Sequence, residues 1–165
     1  MNVELDKDYP SLKNAIMMAI IFLVIAVFFT LIMIMFTLPL EWKWTLLGFA
    51  FCVVAIGFSF YYFVYCMWYI FSFVSTRKDK LIVYRGETGH ISLTVKGVNY
   101  KFSREQIDFI SAKTLHAPLK GIEPNKVEIH IKGDSKVYIV RMLERPESAK
   151  GLINDLIKGK VTKQI

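Results

Sequence analysis

Two long apolar stretches without a charged residue dominate the first half of this sequence. They run over Ala15–Phe36 and Trp44–Ser75. Each is longer than the roughly 20 residues that a helix needs to cross a hydrocarbon core of about 30 Å. An acidic segment, residues 1–14, precedes the first stretch, whereas a secretory signal has a basic start and an apolar region of only about 7–15 residues. The sequence therefore predicts two membrane-spanning helices, at about residues 15–37 and 44–74.

The distribution of lysine and arginine near the spans predicts their orientation. Arg77, Lys78, Lys80 and Arg85 follow the second span, whereas the connection between the spans contains only Lys43. This bias predicts that the C-terminal half is cytoplasmic, and two crossings return the chain to the side of its N-terminal segment. From Arg77 onward there are 18 Lys and Arg against 10 Asp and Glu. We therefore expect a multi-pass protein of the plasma membrane, with both termini cytoplasmic and with anionic lipids as partners.

Aromatic residues are concentrated where the predicted hairpin should reach the membrane surface, the depth that tryptophan and tyrosine prefer. The second stretch would be about 46 Å long as a helix, so we expect it to tilt and to carry its last turns through the headgroups. An aromatic groove for a lipid or a peptide is the alternative interpretation. The predicted membrane-interface residues are Trp42, Trp44, Tyr61, Tyr62, Tyr65, Trp68, Tyr69, Arg77, Lys78, Lys80 and Arg85.

Small residues recur on one face of each predicted span. They are Ala19, Ala26 and Thr30 in the first span, and Gly48, Cys52, Ala55 and Ser59 in the second. Small stripes let the backbones of membrane helices approach closely. We expect the two stripes to pack within the chain, and homo-oligomerisation through the same faces is the alternative. Neither span contains an ionisable residue, which disfavours a transporter, a proton relay or an ion pathway.

Beyond the second span the apolar period changes from helical to alternating, which is typical of strands. Apolar and polar residues alternate cleanly over residues 91–95 and 127–131. Pro146 suits the first position of a closing amphipathic helix. The sequence therefore predicts a folded domain over residues 77–160, an antiparallel meander of six or seven short strands capped by one helix, and a tail over residues 161–165.

This pattern resembles the bacterial pleckstrin-homology-like domains that follow one or two transmembrane helices in small membrane proteins. The resemblance covers about residues 80–160. It rests on Val98–Ser103 leading into Gln106–Ile110, on the hairpin Val127–Lys132 and Lys136–Met142, and on the helix from Pro146. It implies an α+β membrane protein in which a two-helix transmembrane hairpin precedes an antiparallel β-barrel or sandwich with a C-terminal helix.

The basic residues of the domain do not follow the usual pleckstrin-homology pattern. Those domains bind phosphoinositides through a basic first hairpin loop, but the first loop here, Arg85–His90, contains one cation, one acid and a histidine. The stretch Lys113–Lys126 is more basic. Within it His116, Lys120 and Lys126 are the candidates for binding a phosphate or a protein partner, and a solvated loop is the alternative.

Small proteins of the similar type include self-immunity and resistance proteins that protect their producers from membrane-active leaderless or circular bacteriocins. The resemblance implies this function, through binding of the peptide or a change in the membrane. The alternative is a non-enzymatic membrane scaffold or stress component that recruits a protein or senses anionic lipid. The sequence contains no HExxH, CxxC or glycine-rich phosphate loop, so it predicts no enzyme, metal or cofactor, and it contains no recognisable nucleic-acid-binding module.

Overall fold

The computed structural model describes residues 2–5, 7–35, 42–84, 89–114, 117–122 and 124–158, without the side chains of residues 2 and 42–45. These residues form an α+β structure with two long apolar helices, two antiparallel sheets and a C-terminal helix. The chain divides into two compact units. Met1–Ser11 and Ser72–Ile165 together make the folded unit, and Leu12–Phe71 make the helical unit.

The two long helices are α1, Tyr9–Met35, and α2, Trp42–Thr76, with 27 and 35 residues. Both are long and apolar enough to cross a membrane, and only 11% of the residues in the most apolar stretch of each helix are buried. A core helix of a soluble protein would be mostly covered. Val54 and Phe71, for example, are 70% and 75% exposed. So much exposed apolar surface suits a lipid environment.

The helix α1 begins at Tyr9, six residues before the predicted span. The reason is local, because Asp8 caps the helix and Pro10 is tolerated in a first turn, where its missing N–H has no helical partner. Two ring contacts join the helices in the antiparallel sense within the helical unit. Phe22 stacks on Tyr62 with centroids 5.1 Å apart, and Phe29 meets Phe51 edge-on at 5.7 Å.

The first sheet has four antiparallel strands in the order β1-β2-β3-β4. Their bounds are Asn2–Glu4 for β1, Lys80–Tyr84 for β2, His90–Val95 for β3 and Val98–Ser103 for β4. The strands β2 to β4 confirm the predicted meander. The sequence predicts only a cytoplasmic segment over residues 1–14 and not the strand β1. It precedes the apolar helices in the chain but pairs with the strand that follows them.

The second sheet has three antiparallel strands, β5, β6 and β7, which span Ile107–Thr114, Asn125–Ile131 and Val137–Arg141. A 3-10 turn at Arg104–Gln106 separates it from β4. The described strands therefore form two antiparallel sheets and no closed barrel, so of the two predicted forms, barrel or sandwich, the closed barrel is not observed. The sheets meet through side chains, since the Tyr138 ring lies 5.0 Å from that of Tyr100 and 4.8 Å from that of Phe102.

The core of the folded unit lies between the two sheets and the helix α3, Pro146–Ile157. Each element contributes its inward positions, as the alternating and helical patterns predict. Burial of each large aliphatic side chain contributes about 1.5–3 kcal/mol relative to exposure. The fully buried members include Leu81 and Val83 of β2, Ile91 and Leu93 of β3, Val127 and Ile129 of β6, and Ala149 and Ile153 of α3.

Candidate functional site

The N-terminal segment docks on the folded unit at the edge of the first sheet. Val3 of β1 lies opposite Val83 of β2, and the Leu5 N–H donates to the Leu81 carbonyl at 3.0 Å. The Leu5 side chain is half-buried against the core. Outside the core, Glu4 and Lys80 form an exposed ion pair at 3.0 Å, which is worth little by itself. Backbone pairing and packing therefore fix this segment.

A second set of contacts ties the same segment to the end of β7. Lys7 pairs with Leu143 in an isolated antiparallel bridge, and its Nζ donates to the Arg141 carbonyl at 2.8 Å. The Asp8 N–H donates to the Met142 carbonyl at 2.9 Å. Met142 is buried in the left-handed region with φ 57°, a costly conformation for a long side chain. The N-terminal segment thus binds both sheets of the folded unit.

Lys7 is a buried cation, with only 8% of its surface exposed. Burial lowers its pKa from 10.5 to about 8, and the negative charge of Asp79 partly opposes this shift. Asp79 is itself 5% exposed. The paired charges lower the cost of burying either one, because an isolated buried charge is far more costly than a paired one.

Asp8 and Asp79 mark the start of α1 and the end of α2. Asp8 Oδ1 accepts the Ser11 N–H at 3.1 Å, the usual arrangement of a helix N-cap. The Asp79 N–H donates to the Thr76 carbonyl at 2.9 Å, and its Oδ1 accepts the Lys96 N–H at 2.9 Å. Asp79 therefore ties the end of α2 to the turn between β3 and β4.

That turn is tight and conformationally demanding. Lys96 and Gly97 have φ of 51° and 83°, the two positive values of a type I′ hairpin turn. The left-handed conformation is unfavourable at Lys96, and the bond from Asp79 compensates for it. We call the residues Lys7, Asp8, Asp79, Lys96 and Arg141–Leu143 the junction.

The predicted interface cations flank the junction. Arg77 and Lys78 are exposed in the turn after α2, and Lys80 is occupied by Glu4. Arg85 lies outside the described residues. Neither Arg77 nor Lys78 takes part in an ion pair within the described residues, and both follow directly after α2.

The predicted interface aromatics are distributed over several environments. Tyr61 and Trp68 are exposed, at 58% and 50%. Tyr62 is half-buried beneath Phe22, Tyr65 is half-buried with its ring 5.9 Å from that of Trp68, and Tyr69 is buried. The side chains of Trp42 and Trp44 lie outside the description. Exposed rings suited to lipid contact therefore alternate with rings that pack inside the protein.

The small residues of the spans lie on the covered sides of their helices. Ala19, Cys52 and Ser59 are buried, and Ala26, Thr30, Gly48 and Ala55 are half-buried. The Thr30 and Ser59 hydroxyls donate to the carbonyls four residues earlier, at 2.7 and 2.8 Å, so their polar atoms are satisfied within their own helices. Homo-oligomerisation through these faces stays a prediction.

The predicted phosphate-binding residues are not brought together. His116 lies outside the described residues, Lys120 is exposed in the loop before β6, and Lys126 lies on β6 itself. Lys126 Nζ is 2.6 Å from Glu128 Oε1, and Lys113 Nζ is 3.3 Å from Glu128 Oε2. The hydrogen bonds from Lys126 and then from Lys113 lower the pKa of Glu128, although burial opposes the shift. Glu128 therefore remains ionised between two lysines.

The other titratable groups show no arrangement for metal binding. Among the described residues, no group of three or more His, Cys, Asp or Glu side chains is placed to hold a metal ion. His90 stacks on Tyr84 and His130 on Phe109, with centroids 4.2 and 3.9 Å apart. His90 and His130 thus each pack against an aromatic ring on a strand.

Sequence reasoning missed the docking of the N-terminal segment, both the strand β1 and the junction residues Lys7 and Asp8. Val3 and Leu5 alternate with Asn2 and Glu4, which was the available strand signal, but three residues are too few for a reliable period.

Compared with known proteins, the chain matches no protein-family model, no curated protein and no solved structure. The resemblance to pleckstrin-homology-like domains therefore stays a prediction.

Proposed function

We propose that this protein is a bacterial membrane protein whose helical hairpin anchors a pleckstrin-homology-like domain at the cytoplasmic face. The pairing of β1 with β2 supports this topology. Two hydrogen-bonded strands must lie in the same compartment, so the chain between them crosses a membrane an even number of times. The helices α1 and α2 supply two crossings. Arg77 and Lys78, exposed directly after α2, favour the cytoplasm for the folded unit.

The arrangement of the folded unit is compatible with a pleckstrin-homology-like fold. Sheets of four and three antiparallel strands are followed by a helix that packs on β5 and β6. The domain would be unusual in one respect, because its first strand lies before the membrane hairpin and its other strands lie after it. The hairpin would then be an insertion within the domain rather than an N-terminal anchor.

We propose that the biological function is self-immunity to a membrane-active leaderless or circular bacteriocin. The resemblance to small membrane proteins with such a domain carries this proposal, and the apolar side chains that the two long helices leave exposed are compatible with it. A peptide that inserts beside the hairpin would meet exposed rings such as Tyr61 and Trp68. Its binding there, or the altered lipid packing around the hairpin, would lower its activity against the producing cell.

The test is expression in a sensitive bacterium that lacks the protein. The inhibitory concentrations of a panel of leaderless and circular bacteriocins are measured with the native chain, with an empty vector and with Leu5→Pro, which removes the N–H that bonds to Leu81. We expect the native chain to raise the inhibitory concentration of at least one class and Leu5→Pro to lose protection at equal membrane abundance. Unchanged killing by every bacteriocin would exclude immunity to them.

A second candidate is a non-enzymatic scaffold that senses anionic lipid. The observation that favours it is the concentration of exposed cations at the junction and directly after α2, including Lys96, Arg77 and Lys78. Such residues near an anionic leaflet contribute about 1 kcal/mol each. This candidate is compatible with immunity, because a protein that gathers anionic lipid around itself also changes the membrane that the peptide attacks.

A further inference from the structure

The outer face of the second sheet carries three parallel rows of side chains, one residue from each strand in every row. The register puts Phe109 beside His130 and Val137, Ser111 beside Glu128 and Ile139, and Lys113 beside Lys126 and Arg141. Because neighbours on one face of an antiparallel sheet are close together, the face is apolar at one end and basic at the other. We call Lys113, Lys126 and Arg141 the basic row.

The basic row is exposed and only partly neutralised. The side chain of Lys113 is 55% exposed, that of Lys126 is 23% exposed, and Arg141 belongs to the exposed residues. Like charges directly opposite each other destabilise a sheet. Glu128 bonds to both lysines and balances one of the three cations. The remaining positive charge has no carboxylate partner among the ion pairs of the described residues.

The basic row lies at the end of the sheet where α1 begins. The Arg141 carbonyl accepts the Lys7 Nζ–H, and the carbonyl of the next residue, Met142, accepts the N–H of Asp8. Asp8 is the N-cap of α1. Lys7, which bonds to the Arg141 backbone, is therefore only two positions before Tyr9, the first residue of the apolar helix α1. In the proposed topology, the start of that helix lies at the cytoplasmic headgroups.

We propose that the basic row binds the phosphate of an anionic lipid headgroup in the cytoplasmic leaflet. This inference rests on the proposed anchoring and assigns the lipid-sensing candidate to a specific surface. Arg141 supplies the planar guanidinium that can bind a phosphate through two hydrogen bonds, and Lys113 and Lys126 supply point charges. Glu128 competes with the lipid for both lysines, so its ionised state weakens binding.

The experiment uses the full chain in nanodiscs of zwitterionic phosphatidylcholine. Dioctanoyl phosphatidylglycerol is titrated in, with dioctanoyl phosphatidylcholine as the neutral probe, and the Kd is measured from intrinsic fluorescence or native mass spectrometry. The double variant Lys113→Gln with Arg141→Gln is compared with Lys101→Gln and Lys132→Gln, which removes the same charge from exposed positions away from the basic row. Glu128→Gln is the third form.

We expect the basic-row variant to weaken phosphatidylglycerol binding about tenfold or more, because two favourable charge interactions are lost. The control pair should change the Kd less than about threefold, because the lost charges act on the lipid only through screened long-range electrostatics. Glu128→Gln should tighten binding, since it frees both lysines. This opposite sign also keeps the inference testable if the double variant fails to fold, which its circular dichroism spectrum would reveal.

Equal weakening by the basic-row and control pairs would overturn the inference, because net charge rather than the row would then bind the lipid. So would equal affinity for the two dioctanoyl lipids, or weaker binding by Glu128→Gln. A chain that elutes apart from the nanodiscs would contradict the anchoring itself. Nanodisc incorporation without selective lipid binding would leave the anchoring intact and exclude only the basic row.

Discussion

At the scale of single residues, Lys7 is the most informative position in the molecule. A lysine that is almost fully buried is rare, and this one satisfies its ammonium with the Arg141 carbonyl and the charge of Asp79. No sequence pattern predicts its burial, because an isolated lysine between two acids is typical of a solvated segment. Its environment comes from the non-local docking of the N-terminal segment. The exposure of Arg77 and Lys78 after α2, in contrast, is the ordinary state of charged side chains in a turn.

The depressed pKa of Lys7 predicts a specific pH dependence of stability. Between pH 8 and 10.5 the unfolded chain binds more protons at this site than the folded chain, so the free energy of unfolding rises with pH. The shift of the pKa to about 8 corresponds to about 3 kcal/mol across that window. In Lys7→Met this contribution disappears, so the stability of the variant relative to the native chain should fall as pH rises from 8 to 10.5.

Chemical unfolding in a mild detergent, followed by circular dichroism at pH 7, 8, 9, 10 and 10.5, measures this difference. The other groups that titrate in this range are common to both chains and cancel. Lys120→Met, at an exposed loop lysine, is the matched control and should show no such trend. A stability difference between Lys7→Met and the native chain that does not vary with pH would contradict the buried position of Lys7.

At the scale of elements, the success of prediction depends on how many residues carry the pattern. The long uncharged stretches predicted α1 and α2, alternation predicted β3 and β6, and Pro146 with its apolar face predicted α3. The strand β1 was not predicted because it has only three residues. The break between the two sheets was not predicted either. The 3-10 turn at Arg104–Gln106 is fixed by residues that are distant in sequence, including Lys132, whose N–H donates to the Gln106 carbonyl.

The pairing of the N-terminal segment with β2 predicts that Leu5 is sensitive to substitution. Leu5→Ala keeps the N–H that bonds to Leu81 but removes half-buried apolar surface, and should cost about 1–2 kcal/mol. Leu5→Pro removes the N–H as well and should cost about 1 kcal/mol more. Thermal unfolding measures the totals, and amide hydrogen exchange of residues 80–84 shows whether β2 is the strand that opens.

Val98→Ala is the control for these variants, because Val98 is an apolar strand residue that is 51% exposed. It should alter stability by no more than about 0.5 kcal/mol. The pairing would be contradicted if both Leu5 variants resembled Val98→Ala and left hydrogen exchange in β2 unchanged. If Leu5→Pro and Leu5→Ala lost the same free energy of unfolding, the hydrogen bond from the Leu5 N–H would be contradicted, but the packing of the Leu5 side chain would not.

At the scale of the whole molecule, the central feature is that one folded unit contains both the chain segment that precedes the hairpin and the chain segment that follows it. Met1–Ser11 and Ser72–Ile165 form a single compact unit, so the domain cannot be completed until both apolar helices have been synthesised. The sequence pattern identified the helices and the strands that follow them. It could not reveal that the segments before and after the hairpin pair, since strand pairing at this separation depends on tertiary contacts.

The most direct test of this feature is disulfide trapping between β1 and β2 in bacterial membranes. Glu4 and Ile82 are directly opposite, whereas Ser92 is on the next strand, opposite Ile82. With Cys52→Ala and Cys66→Ala as background, and with copper–phenanthroline added to isolated membranes as the oxidant, Glu4→Cys with Ile82→Cys should form a disulfide within one chain and resist a maleimide-polymer label until it is reduced. Glu4→Cys with Ser92→Cys should remain open to the label. Trapping of neither pair, or equal trapping of both, would contradict a domain that is completed by its N-terminal strand.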